Sequence, residues 1–89
     1  MIVLPATLTH DVAAQFSGGL ASLVAAQPSA VVTDASALQQ FDSSALAVLL
    51  ACRREATAAG KAFSVHGLPA RLRQLAGLYG VAELVPAAA

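Results

Sequence analysis

The sequence predicts an α/β fold: a mainly parallel four-stranded sheet with three helices packed on it, in a single domain spanning residues 1–89. Three observations carry that prediction. Short β-branched apolar runs alternate with longer segments in which apolar residues recur every three or four positions, the two periods of strand and helix. Glycine and proline punctuate the boundaries between these segments. Strands that alternate with helices pair in parallel through right-handed crossovers.

The elements follow in order. "MIVLPA" is a short strand closed by Pro5. Thr9 then offers an N-cap, with Asp11 in the favourable first turn. Val12, Phe16, Leu20 and Leu23 form one helical stripe up to Gln27-Pro28-Ser29, weakened at Gly18-Gly19. "AVVTDAS", Ala30 to Ser36, is the clearest strand, with Asp34 at its end. "ALQQF" reads as a connection to a helix that starts at Asp42 and stops at Gly60, where glycine suits a left-handed C-terminal position. "KAFSVHG" alternates as a strand, and "LPARLRQLAGLYG" is a helix with Pro69 at its start and Gly80 at its end. Its apolar stripe is Leu68, Leu72, Leu75, Ala76 and Tyr79. "AELVP" is expected to be a terminal edge strand and "AAA" a tail.

Composition narrows the function. Five Lys+Arg balance five Asp+Glu, so no electrostatic footprint for nucleic acid is present. A chain 57% hydrophobic and 11% charged has few charges to solvate its surface, which points to a face covered by a partner. The single Cys52 excludes an internal disulfide, disfavours a metal site and reads as a buried small hydrophobe. No run of about 18 apolar residues spans a membrane. No basic region precedes an apolar one at the start, so a cytoplasmic location is expected.

The unusual stretch is "FDSSALAVLL". Ala45, Val48, Leu49, Cys52 and Ala56 share the face expected to meet the sheet. Ser43, Ala47, Leu50 and Arg54 occupy the opposite face, with Leu46 between the two and expected to be exposed. Four readings of Asp42-Ser43-Ser44 compete: a helix cap, a nucleophilic serine, a phosphorylation switch, and a contact that lets a partner approach closely. The nucleophile is the weakest, because the context is not G-x-S-x-G and only His10 and His66 could serve as base.

From Val31 to Pro86 the chain resembles a STAS domain, the fold of anti-sigma factor antagonists. The motifs that carry the resemblance are Val31-Val32-Thr33-Asp34-Ala35-Ser36, Asp42-Ser43-Ser44-Ala45-Leu46, and the ending Leu75-Ala76-Gly77-Leu78-Tyr79-Gly80-Val81. That ending is most similar to the MlaB-type subgroup. The resemblance implies a non-enzymatic subunit, without cofactor or metal, that binds and regulates the cytoplasmic ATPase of an ABC transporter moving phospholipid between Gram-negative membranes. It would then sit peripheral to the inner membrane through that partner, without inserting itself. The implied contact comprises Asp42, Ser43, Ser44, Leu46, Ala47, Leu50 and Arg54, with Asp34 as a structural loop residue. Ser43 matches the MlaB-type contact position and Ser44 the serine phosphorylated in anti-sigma factor antagonists, so both are candidate phosphorylation sites. The alternative reading is therefore an anti-sigma factor antagonist that binds a serine kinase and is regulated by serine phosphorylation. Two departures from the family stand out. Its usual N-terminal strand is not matched beside Ile2–Leu4, so that either the natural start lies upstream or a sheet edge is expected to be open to a partner or a homodimer, and Ala45 replaces the more usual glycine.

Overall fold

The computed structural model describes residues 1–88 and has parallel strands in two sheets with four α-helices. In chain order the elements are β1 (Ile2–Val3), β2 (Thr7–Leu8), α1 (His10–Ser17), α2 (Leu20–Ala25), β3 (Ala30–Asp34), β4 (Gln40–Phe41), α3 (Ser43–Ala58), β5 (Ala62–His66) and α4 (Ala70–Leu78). A 3₁₀ turn at Ala82–Leu84 follows.

The main sheet has the order β1-β3-β5, with Ile2 opposite Thr33 and Thr33 opposite Val65. These three residues and Val31 are buried, while Val3 and His66 on the alternate positions are exposed. The period of two therefore sends one face to the helices and leaves the other open. Over the buried face, α3 contributes Ala45, Val48, Leu49, Cys52 and Ala56 to the core, as the sequence predicts. Three of these are alanine or cysteine, so the long helix lies close to the strands. The Thr33 hydroxyl meets the Cys52 sulfur at 3.4 Å, which satisfies the one buried polar side chain of the core.

Four local expectations are corrected. The first predicted helix is two helices, broken after Ser17, and the turn through Gly18-Gly19 shifts the apolar stripe. Val24 is consequently buried and Leu23 is 40% exposed. The "ALQQF" connection contains β4, which pairs in parallel with β2 as Thr7 with Gln40 and Leu8 with Phe41. Two-residue strands carry too little alternation to be read from sequence. The terminal strand is displaced: residues 82–84 form the 3₁₀ turn, Val85 inserts fully into the core, and pairing to β5 occurs at Ala87, opposite Val65. Of the predicted tail, Ala89 lies outside the described residues. Finally, Tyr79 is 59% exposed rather than part of the apolar stripe of α4.

Two tertiary contacts lock the connections. Gly67 has φ +69°, and a Cβ there would lie 2.7 Å from that of Ser36. Only glycine lets the exits of β3 and β5 approach so closely. At the opposite end of the sheet the Lys61 ammonium donates to the carbonyls of Val24 (2.8 Å), Ala25 (3.3 Å) and Gln27 (2.6 Å). It thereby closes the C-terminal end of α2, where unpaired carbonyls concentrate negative charge. Lys61→Met keeps most of the packing stem and removes the three donors. It is expected to lower stability by about 1–2 kcal/mol, read as a reduced midpoint in urea with an unchanged slope.

Candidate functional site

The site begins with a register. Because β2 and β4 run parallel with Leu8 opposite Phe41, the residues that follow, Thr9 and Asp42, begin two helices side by side. Thr9 makes no side-chain capping bond. Asp42 serves both helices instead: Oδ1 accepts from the Ser44 N–H at 2.8 Å and Oδ2 from the His10 N–H at 3.1 Å. The Ser44 N–H, followed by the His10 N–H, holds the carboxyl below the usual aspartate range. The cap reading of Asp42 is thus correct, and one carboxylate joins the starts of α1 and α3.

The placement of the remaining candidates follows from α3. Ser43 and Ala47 are exposed, Ser44 is half-buried, and Leu50 is half-buried against the core. Arg54 is exposed one turn beyond Leu50. Leu46 is a correction: it is only 2% exposed and belongs to the core, not to an outer face. The wide core-facing arc of α3 reaches this position because α1, α2 and α4 all pack against that helix, whereas the sequence shows only its sheet-facing side. Asp34 makes no hydrogen bond to Ser43 or Ser44 among the described residues. Its Oδ1 accepts from the Ser36 hydroxyl at 2.6 Å and the Ser36 N–H at 2.9 Å, and these bonds lower its pKa. That is a turn-closing role beside Gly67.

Sequence reasoning missed the other wall of the site. Phe41 and Asp42 face α4 across a cleft of about 240 Å³ lined also by Arg71, Gln74, Leu75 and Leu78. The Arg71 guanidinium carbon stands 5.1 Å from the centre of the Phe41 ring, within cation–π range. Leu78 is 82% exposed at the cleft mouth. The signal was present as Arg71, Gln74, Leu75 and Leu78 at spacings of three, four and seven, but the sequence does not show that this stripe meets Phe41. Among the described residues neither serine hydroxyl hydrogen-bonds a histidine. His10 gives its backbone N–H to Asp42, and His66 lies opposite Asp34 at the end of β5.

Comparison with known proteins places this geometry in context. A family described as "Mlab, STAS domain" matches residues 1–86. No curated protein matches. Among solved structures, a sulfate transporter family protein from Wolinella succinogenes superposes with a TM-score of 0.70 at 15% identity. The match covers 91% of this chain and 66% of that one, so the chain spans just under two thirds of the matched chain's length. The likeness establishes a shared fold. No helix among the described residues is long and apolar enough to cross a membrane.

Two outcomes follow for the site. Because the folded-state pKa of Asp42 is depressed, its stabilisation is present above about pH 4 and is lost as acid protonates the folded carboxylate. Asp42→Asn, with one acceptor oxygen for two helices, should unfold more readily at pH 7 and approach the unaltered chain in stability near pH 2. Urea titrations across that range measure the convergence. Leu46→Asp places an unpaired charge in the core at a cost of several kcal/mol, comparable with the whole stability of a small domain. It should abolish cooperative unfolding by circular dichroism, whereas Ser43→Arg at the surface should leave the melting profile intact.

Proposed function

The chain belongs to the STAS domain family, and from that premise we propose that it is a non-enzymatic subunit that binds and regulates the cytoplasmic ATPase of an MlaB-type ABC transporter. The observation that carries this reading is the open surface at the start of α3: Ser43 and Ala47 present small exposed side chains, and Asp42, just before them, lines the cleft whose far wall carries the exposed Leu78. Small residues let a partner's backbone approach closely, and an apolar side chain beside an arginine supplies the kind of anchor on which interfaces depend. The family description, which names Mlab, supports the subgroup. On this reading the transported substrate is phospholipid passing between the two membranes of a Gram-negative cell. The domain sits on the cytoplasmic side, peripheral to the inner membrane through its partner.

The surface can also be regulated. Phosphate on exposed Ser43 would add about −1.5 to −2 charges at neutral pH, directly on the proposed contact. Ser43 is exposed at the start of α3, so such a group would block the partner without entering the core.

The test is co-purification of the full chain with the ABC ATPases of its own cell, followed by titration of the recovered ATPase. Binding by the unaltered chain and at least a tenfold loss in affinity for Ser43→Arg, equivalent to about 1.4 kcal/mol, is the expected result. Failure to recover any ABC ATPase, or recovery of a serine kinase that phosphorylates Ser44, would replace the reading.

A further inference from the structure

Leu78 is 82% exposed, and a single exposed leucine is ordinary. Its setting is not. It continues the wall of a cleft whose other apolar residues, Phe41 and Leu75, are half-buried, and whose cation, Arg71, lies against an aromatic ring. We propose that this cleft is the anchor subsite of the docking surface, taking one bulky apolar side chain from a partner protein segment that also brings a carboxylate to Arg71. The proposal rests on the docking reading for the existence of a partner, and adds the chemistry by which that partner is held.

Size and charge select this occupant. A volume of about 240 Å³ falls below the roughly 300–1,000 Å³ of small-molecule sites, and suits a side chain. Asp42 is the one acid of the cleft, and both of its oxygens are already engaged by backbone N–H groups. No hydrogen bond among the described residues engages the Arg71 guanidinium, and α4 carries no acidic residue. The charged group of the cleft left without a hydrogen-bond partner among the described residues is therefore the Arg71 cation. The Phe41 ring holds that guanidinium over the apolar wall, so less side-chain freedom is lost when a carboxylate pairs with it. A nucleic-acid phosphate is a poorer fit, since the chain is electrically neutral overall.

A charge swap tests the proposal. Three synthetic twelve-residue peptides serve as probes against the full, isotope-labelled chain. One has leucines and glutamates at helical spacing, the second has lysine for every glutamate, and the third has alanine for every leucine. The expected result is that the acidic leucine peptide alone shifts the Leu75 and Leu78 methyl and Arg71 Nε resonances. Arg71→Glu should weaken that binding about tenfold and transfer the preference to the lysine peptide, which a merely structural arginine would not do. Equal response to all three peptides, a preference of the unaltered chain for the lysine peptide, or shifts confined to another surface would overturn it. With the ATPase itself, loss of the complex in Ser43→Arg but full affinity in Arg71→Glu removes the subsite and leaves the docking reading standing. If no ATPase associates, the docking reading falls and the peptide preference alone decides the subsite.

Discussion

A single carboxylate shared between two helix starts sets the geometry on which this domain depends. The parallel pairing of β2 with β4 brings the first turns of α1 and α3 together, and their aligned dipoles would repel across that gap. Asp42 supplies the negative charge between them and accepts an N–H from each. Once α3 is fixed at its start, its small residues settle over Thr33 and Val65, and α1, α2 and α4 pack along its sides. The same cap decides which hydroxyl faces outward, because Ser43 is the first residue after it and Ser44 turns partly inward.

Stability and the proposed contact therefore meet at one loop without competing for the same atoms. Asp42 spends both oxygens on the scaffold, whereas Ser43 and Ala47 are exposed. At the far end of the sheet Lys61 performs the complementary task, donating to the carbonyls that end α2. Helix ends on both sides of the domain are thus closed by charged side chains drawn from distant positions in the chain. In a sequence with only five acidic and five basic residues, two charges held by the scaffold leave few for solvation.

Much of the fold was legible because the residues that carry it obey simple periods. The β-branched run at Val31-Val32-Thr33 marks a strand, and the spacing of Ala45, Val48, Leu49 and Cys52 marks the inner side of a helix. Positive φ at Gly60 and Gly80 explains why both glycines mark helix ends. The errors arose where a period was too short or was interrupted. The two residues of β4 could not show alternation, and Gly18-Gly19 rotated the stripe so that Val24 took the place of Leu23 in the core.

The sequence by itself determined the α/β class, the core face of α3, the cap at Asp42 and the exposure of Ser43, since each depends on neighbours within a few positions. Only the tertiary structure decided that Asp42 also caps α1, that Leu46 lies inside, and that Phe41 and Arg71 build a cleft with Leu78 at its mouth. Those three facts depend on contacts between residues roughly thirty positions apart, or on how many helices surround one helix. Local periodicity records which way a side chain points relative to its own element. It does not record what the fold places opposite.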